Sequence, residues 1–266
     1  SKAYLRGEGR AAVWQPLQLS QAEHPSAQWF IAKDQLRPGT HARVSQSRIA
    51  FCDITGQTNE RSLLTARVPA GVVCGNKVPT IEFGSGGSDR EDLFLALTNS
   101  LVVDWMMRRL VTTTVNFFLL DSLPLPPVPP ASPVGQELIA LGRQISAAEG
   151  EANADLAEVG DKRARIDALV AASWGVSLEE MQLILEDFPL LDRNQPCLVG
   201  EDRSTVTPDA VMSALARING DQDVWFGRLA DASRIGAIPY VPAEFAKGTE
   251  WRRPVGVPHS LSSTRR

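Results

Sequence analysis

The chain has 266 residues, a net charge of -4 and 43% hydrophobic residues, values typical of a globular protein of one or two domains. No apolar run approaches the roughly 18 residues that a membrane-spanning helix needs, which excludes a membrane protein. Cys52, Cys74 and Cys197 form no Cys-x-x-Cys pair, which argues against a disulfide framework or a structural zinc site. The N-terminal residues do not show the basic, apolar and small-residue order of a signal peptide, and the sequence starts on Ser1. We therefore expect a cytoplasmic protein that is part of a longer chain.

The net charge is more positive in the first half of the sequence than in the second. Residues 1–123 carry 13 Lys or Arg against 11 Asp or Glu, whereas residues 124–266 carry 14 against 20. Between Arg37 and Lys77 there are six basic and two acidic residues. This local excess fits either a surface that binds nucleic acid or an ordinary solvated strand.

The first half shows strand patterns followed by a helical one. Alternation predicts strands over residues 48–54 and 62–68, with turns at 69–71 and 83–87. A capping box at Ser88 then predicts a helix whose apolar residues, spaced by three or four, continue to Leu110. Within that apolar stretch we expect Asn99 and Ser100 to fix the packing through hydrogen bonds. We therefore predict mixed α and β structure before residue 124.

Five prolines in residues 123–130 interrupt this pattern, because proline lacks a backbone donor and favours extended structure. The sequence thus predicts an α/β domain over 1–123, a proline-rich linker over 124–135 and a helical region over 136–266. In that region, apolar spacing from Leu138 to Leu169 fits one long helix or two. Two further helices are predicted from a capping box at Ser177 and from Thr207-Pro208 to Gly220.

A search for catalytic constellations is negative. His24, His41 and His259 lie far apart and fit no metal-binding spacing. The sequence has no Gly-x-Ser-x-Gly elbow, no phosphate loop and no dinucleotide-binding glycine motif. We therefore expect the chain itself to be non-catalytic and to hold neither a metal nor a cofactor.

Three stretches resemble parts of one protein family. The basic strand at 48–54, Thr58-Asn59-Glu60-Arg61-Ser62 and the strand that ends in Pro69 resemble a block downstream of the catalytic domain in adenine-N6 DNA methyltransferases of fused restriction-modification and phage-defence systems. A second group of segments is similar to target-recognition domains, including those of type I specificity subunits. The segments are Leu-Thr-Asn-Ser at 97–100, Asp104-Trp105, Asn116-Phe117-Phe118 and the proline-rich exit at 123–127. Residues 166–189 are similar to the helical tail that follows such domains.

The resemblance implies an α+β protein in which a mixed α/β target-recognition domain precedes a mainly α-helical domain. It implies the recognition half of an adenine-specific DNA methyltransferase, whose Rossmann-like catalytic domain would lie upstream in the same polypeptide. That domain would bind S-adenosylmethionine and flip the target adenine through an Asn/Asp-Pro-Pro-aromatic motif, which this sequence lacks. Duplex DNA is the expected partner.

Such a module needs cations on phosphates and polar side chains at base edges. For phosphate contacts the sequence offers Lys33, Arg37, Arg43, Arg48 and Lys77. For base contacts it offers Gln46, Gln57 and Asn76. Asn59 and Arg61 are equally compatible with DNA contact and with scaffolding, because Asn forms turns and Arg61 has acidic neighbours.

Two other function classes stay open at this stage. A protein-interaction or scaffolding module of a defence complex would place an exposed apolar stripe on residues 138–169 and a neutral surface on 37–77. An independent enzyme would show a pocket with convergent ionisable groups.

Overall fold

The computed structural model describes residues 2–6, 13–16, 30–83, 88–149, 155–193 and 195–240. Within these ranges the protein is mixed α+β, as predicted: nine α-helices accompany a two-stranded and a three-stranded antiparallel sheet. The strands are β1 Lys2–Arg6, β2 Val13–Pro16, β3 Arg48–Phe51, β4 Thr65–Val68 and β5 Thr80–Ile81.

The first four helices lie before the proline-rich stretch, and the other five follow it. They are α1 Pro38–Val44, α2 Ser88–Thr98, α3 Leu101–Leu110, α4 Phe117–Ser122, α5 Pro133–Glu149, α6 Leu156–Ser173, α7 Leu178–Glu186, α8 Val206–Asn219 and α9 Trp225–Leu229. Two short 3-10 helices are Lys33–Gln35 and Ala232–Arg234.

The described residues form two compact units. Residues 30–142 and 169–189 form the first, which we call the sheet unit because it contains β3, β4 and β5. The remaining described residues form the second, which we call the helical unit and which contains α8 and α9. The division into an independent domain over 1–123 and a helical region over 136–266 stays a prediction.

Strand β3 is the centre of the three-stranded sheet, with β4 and β5 as its antiparallel neighbours. Arg48 lies opposite Val68 in β4, and Ile49 lies opposite Ile81 in β5. All four residues of β3 are buried. The strand therefore forms the core of the sheet, and β5 lies at an edge.

The predicted strand at 62–68 is shorter in the structure and starts at Thr65. The amides of Ser62 and Leu63 donate to the Asp104 carboxylate, at 2.8 and 2.9 Å, instead of to a neighbouring strand. A side chain from α3 thus replaces the sheet as their partner.

The helix predicted from Ser88 to Leu110 is in fact two helices, because the chain breaks at Asn99-Ser100. Ser100 has an extended backbone and its hydroxyl accepts from the Val103 amide, so that it caps α3. The Asn99 side chain accepts from the Thr65 amide and donates to the Thr65 carbonyl, at 3.2 and 3.0 Å. The predicted packing role is confirmed for Asn99, whereas Ser100 makes local contacts that cap α3, and the predicted continuity of the helix was wrong.

The chain turns sharply between the prolines and α5. A Cβ at Gly135 would lie 2.2 Å from the Pro129 carbonyl oxygen, so only glycine fits this close approach. The Ser132 hydroxyl accepts from the Gly135 amide at 3.0 Å and donates to Pro129 at 2.7 Å. Helices α5 and α6 follow, so the apolar spacing from Leu138 to Leu169 corresponds to two helices and not to one long helix.

Helix α7 begins with the predicted capping box of Ser177 and Glu180. Helix α8 begins at Val206, earlier than the predicted start at Pro208, and ends at Asn219, with Gly220 after its end as predicted; the φ of Gly220, 77°, is left-handed. Glycine adopts this conformation without the strain that a Cβ would bring.

A network of charged side chains surrounds the start of α8 in the helical unit. Asp209 is buried, and its carboxylate accepts from Arg228 at 2.9 Å and from Arg234. Arg228 also binds Glu201 at 2.7 Å, and the Thr205 hydroxyl donates to Asp209 at 2.8 Å. The partners of Asp209 in this network are therefore side chains rather than the backbone of a loop.

Candidate nucleic-acid interface

The structure divides the predicted DNA-contacting residues into two groups, both in the sheet unit. One group lies on α1, the segment before it and the ends of β3 and β5, and comprises Lys33, Arg37, Arg43, Gln46, Arg48, Asn76 and Lys77. The other group lies in the segment between β3 and β4 and comprises Gln57, Asn59 and Arg61.

Helix α1 and the segment before it present cations to solvent. Lys33 lies in a 3-10 helix and Arg37 precedes Pro38, the first residue of α1. Both are exposed, and neither forms a salt bridge with another residue that the structure describes. The Arg43 side chain, 54% exposed, pairs with Glu82 at 2.5 Å and donates to Thr80 Oγ1 at 3.3 Å. Arg43 thus links α1 to β5.

Arg48 is buried, with an exposed fraction of 2%. Its guanidinium donates to the carbonyl oxygens of Arg43, Gln46 and Val72, at 2.6, 3.0 and 2.7 Å. These contacts join the end of α1 to the segment after β4. Arg48 therefore stabilises the scaffold and does not face a ligand, contrary to the predicted phosphate contact. The nearby Gln46 side chain is exposed.

Asn76 and Lys77 form an exposed turn before β5. Lys77 pairs with Asp53 at 2.9 Å and keeps 53% of its side chain exposed. The amides of Phe51 and Asp53 donate to the carbonyls of Pro79 and Lys77, both at 3.1 Å, which continues the β3–β5 pairing. Arg43 contacts Thr80 of β5, and Lys77 lies in the turn that precedes this strand.

Helix α3 holds residues 57–63, which we call the clamped loop. Asp104 is fully buried, and its carboxylate accepts from Arg61 and from the Ser62 and Leu63 amides. One turn later, Arg108 donates to the carbonyls of Gln57, Asn59 and Glu60, the last two at 3.0 Å. Asp104 and Arg108 thus hold the backbone at both ends of the loop.

Arg108 is itself buried, with the ring of Phe188 4.5 Å from its guanidinium carbon. Burial lowers the pKa of Arg108, and the nearby Asp104 carboxylate opposes that shift. Its buried Nε has no hydrogen-bond partner among the described residues. The position of this cation therefore depends on the loop carbonyls, on Asp104 and on the aromatic ring.

The side chains of the clamped loop are partly engaged in the scaffold. Gln57 Nε2 donates to the Val111 carbonyl at 3.1 Å, and Asn59 Nδ2 donates to Thr55 Oγ1 at 3.1 Å. Arg61 donates to the Asn99 carbonyl at 2.6 Å as well as to Asp104. Of the two roles that the sequence left open for Arg61, the structure therefore shows scaffolding. Gln57 and Asn59 are exposed.

Sequence reasoning missed Asp104 and Arg108 as the residues that organise the loop. The signal was their spacing of four, which places two opposite charges on one face of a mainly apolar helix. A charged pair at such positions indicates a polar partner outside the helix.

Most of the basic residues between Arg37 and Lys77 already form salt bridges with carboxylates of the same protein. Arg67, for example, pairs with Glu91 at 2.5 Å and with Asp92 at 2.6 Å, both of which lie on α2. Glu82 and Asp104 likewise lie outside the stretch but pair with Arg43 and Arg61. The local count of charges therefore overstated the positive charge available to a ligand.

Large apolar side chains are exposed beside the clamped loop. Phe118 is 78% exposed and Ile54 is 60% exposed, and Phe117 packs its ring edge-on against Phe51. A bridge between Ile54 and Thr114 connects the segment after β3 to the segment before α4. This part of the sheet unit offers apolar contact next to polar groups.

Within the described ranges, no group of three or more His, Cys, Asp or Glu residues could hold a metal ion. The three cysteines are free. Among the helices of the described residues, none combines the length and the apolar character needed to cross a membrane.

Comparison with known proteins gives no relative: no protein-family model, no curated protein and no solved structure matches the chain.

Proposed function

We propose that this chain is the DNA-recognition portion of a restriction-modification-type adenine-N6 DNA methyltransferase. It would bind duplex DNA for a catalytic domain of the same polypeptide that lies outside the 266 residues and binds S-adenosylmethionine. The observation that carries the proposal is the group of exposed cations around α1 and before β5, in the same compact unit as a polar loop whose backbone is held by Asp104 and Arg108. Such a protein would act in the cytoplasm.

The contacts among the resemblance residues support the proposal. Arg61, from the first stretch, pairs with Asp104 from the second, and the Asn99 side chain binds the backbone of Thr65. In the third stretch, Asp187 accepts from the indole of Trp105 at 2.5 Å. The residues that make these contacts all belong to the sheet unit.

The roles follow from exposure and from the chemistry of DNA. Cations position a protein on phosphates, and amides read base edges. The exposed cations are Lys33, Arg37, Arg43 and Lys77, and the exposed amides are Gln46, Gln57, Asn59 and Asn76. Because Arg43 and Lys77 already have carboxylate partners, we expect weak non-specific binding, with a Kd on the order of 10⁻⁴ to 10⁻⁶ M at physiological salt.

A salt titration with labelled duplex DNA tests this proposal. Replacing Lys33, Arg37 and Arg43 by alanine should reduce the slope of log K against log salt by up to about three phosphate contacts. A matched control removes the same charge from Arg67, Arg109 and Arg217, which pair with carboxylates elsewhere. An equal loss of slope in both triple variants would assign the effect to net charge and contradict the proposed interface.

The proposal also predicts that the cofactor binds to the catalytic domain and not to this chain. Because the chain has neither a glycine-rich cofactor loop nor a Pro-Pro-aromatic motif, we expect that it does not bind S-adenosylmethionine by itself. Calorimetry measures this directly, and micromolar binding of S-adenosylmethionine would contradict the division of labour.

A protein-interaction module of a defence complex is the second candidate. The exposed Ile54, Phe117 and Phe118 favour it, since exposed apolar groups frequently mark protein interfaces. The apolar stripe that this alternative required on residues 138–169 is largely buried: Leu138, Ile145, Val159, Ile166 and Leu169 are all below 10% exposed. Absence of DNA binding even at low salt would favour this candidate.

A further inference from the structure

One of the exposed cations of the proposed interface, Arg43, binds a carboxylate of its own chain. Its Nε contacts Glu82 Oε1 at 2.5 Å, and its Nη2 donates to Thr80 Oγ1 at 3.3 Å. Both members of the ion pair face solvent, with 54% of the Arg43 side chain and 46% of the Glu82 side chain exposed. A pair this exposed contributes little to stability, because water and salt screen its charges. It can therefore open at little cost when another anion competes for Arg43.

Phosphate and carboxylate compete for the same cation. Both are anions that accept charge-assisted hydrogen bonds from a guanidinium. If a DNA phosphate bound Arg43 while Glu82 stayed in place, two negative charges would lie around one cation and would repel each other. The contact of Arg43 with Thr80 does not conflict with phosphate binding, because a hydroxyl is neutral. A phosphate therefore gains the full attraction of Arg43 only when Glu82 turns away.

Glu82 is free to turn away, whereas the carboxylate that binds Lys77 is not. Among the residues that the structure describes, Arg43 is the only hydrogen-bond or ion-pair partner of the Glu82 side chain. Asp53, which binds Lys77 at 2.9 Å, has only 14% of its side chain exposed. The backbone of Asp53 is also held on both sides, since its amide donates to the Lys77 carbonyl at 3.1 Å and its carbonyl accepts from the Val115 amide at 2.8 Å. The exchange of a carboxylate for a phosphate is therefore assigned to the pair of Arg43 and Glu82.

We propose that Glu82 is an autoinhibitory residue, which occupies Arg43 in the free protein and is displaced from it by a DNA phosphate. This inference rests on the proposed function, because it assumes that Arg43 meets duplex DNA. It gives one cause of weak binding, since part of the attraction between Arg43 and the phosphate replaces an internal ion pair. Lys33 and Arg37, which form no salt bridge with another described residue, bear no such cost.

The first experiment is a salt titration of labelled duplex DNA with the full 266-residue chain. Glu82→Gln should bind about two- to fivefold more tightly at physiological salt, because the negative charge opposite Arg43 is gone. The slope of log K against log salt should steepen by up to about one phosphate contact. The matched control is Glu186→Gln, which removes an exposed carboxylate of the sheet unit that has no cation partner among the described residues. Equal gains in the two variants would assign the effect to net charge and overturn the inference.

The second experiment asks whether Glu82 acts through Arg43. Glu82→Gln is repeated in an Arg43→Ala background, where the cation that Glu82 occupies is absent. The gain in affinity should then fall to that of the Glu186→Gln control, because residues that interact through a direct contact show non-additive effects. A gain that persists in full without Arg43 overturns the inference.

A change of the opposite sign would reveal a different role for Glu82. If Glu82 holds Arg43 in the geometry that a phosphate requires, Glu82→Gln lowers the DNA affinity and the inference is overturned. Thermal unfolding checks that the variants fold like the wild type, and Glu82→Ala replaces Glu82→Gln if the latter does not fold. In each of these outcomes the wild type binds DNA and the proposed function stands. Failure of both the wild type and Glu82→Gln to bind any duplex at low salt overturns both.

Discussion

Two buried aspartates, Asp104 in the sheet unit and Asp209 in the helical unit, occupy early positions of helices and bind arginine, yet they organise different things. Asp104 accepts from two backbone amides and from Arg61, so it fixes the course of a loop. Asp209 accepts from Arg228, Arg234 and the Thr205 hydroxyl, so it balances charge. The difference teaches that a buried carboxylate shapes the backbone only where its partners belong to the backbone.

Ile166→Asp should have the largest effect on stability, because it places a charge at a buried apolar position. Ile166 lies on α6 with 7% of its surface exposed. We expect a loss of about 5 kcal/mol of unfolding free energy, from lost packing and the cost of an unpaired charge. Thermal and urea unfolding measure it, with Ile166→Val, expected to cost about 1 kcal/mol, as control. We expect Leu169→Asp to behave similarly. If either aspartate variant melts like the wild type and only DNA affinity falls, the helical region is a DNA-binding surface.

Asp209→Ala should have the next largest effect. It leaves the buried Arg234 without its main carboxylate partner, and breaking a buried pair from one side costs about 3–5 kcal/mol. Asp202→Ala, an exposed acidic residue of the same unit, is the matched control. Equal unfolding midpoints for the two variants would show that the network does not stabilise the helical unit.

Asp104→Asn should cost less, about 2 kcal/mol, since the asparagine keeps one oxygen for the loop amides but loses the charge opposite Arg61. The informative measurement is amide hydrogen exchange. Ser62 and Leu63 should exchange faster, whereas amides at the start of α8 should be unchanged. Faster exchange throughout the protein would instead indicate that Asp104 acts on global stability.

The half-buried carboxylate of Asp223 extends this comparison, because we expect it to make the free energy of unfolding depend slightly on pH. Burial raises the pKa of Asp223, but hydrogen bonds from Ser213, the Phe226 amide and Arg217 outweigh burial and lower the pKa below its usual 3.8. Its stabilisation is therefore complete above the unfolded-state pKa and is lost as the pH falls through the lower folded-state value.

Urea unfolding between about pH 5 and pH 2 measures this loss. Asp223→Asn should flatten the dependence in that range, while Asp221→Asn, its exposed neighbour, should reproduce the wild-type curve. If the stability of Asp223→Asn depends on pH in the same way as that of the wild type, Asp223 does not contribute to the loss of stability in acid.

Local patterns predicted the features whose causes are local. The Ser177 capping box and the end of α8 before Gly220 depend on a few neighbouring residues. The break at Ser100 was missed because apolar spacing continues through it, although serine is itself a capping residue.

The charges of the candidate site could not be predicted from local counts. Arg61 pairs with Asp104, 43 residues away, and Arg67 pairs with Glu91, 24 residues away. Arg48 satisfies backbone carbonyls as far away as Val72. Whether a cation faces solvent or the interior depends on tertiary contacts, so a sequence shows which charges exist but not which are available.

The contact of Asp187 with Trp105 has a consequence for synthesis of the chain on the ribosome. The two residues are 82 positions apart, so at about 5–20 residues per second the carboxylate is made about 4–16 s after the indole. Phe188, which covers Arg108, follows immediately. During that interval Asp104 and Arg108 of α3 can hold the clamped loop, but Phe188 does not yet cover Arg108. The sheet unit completes its packing only after the chain has emerged beyond residue 189.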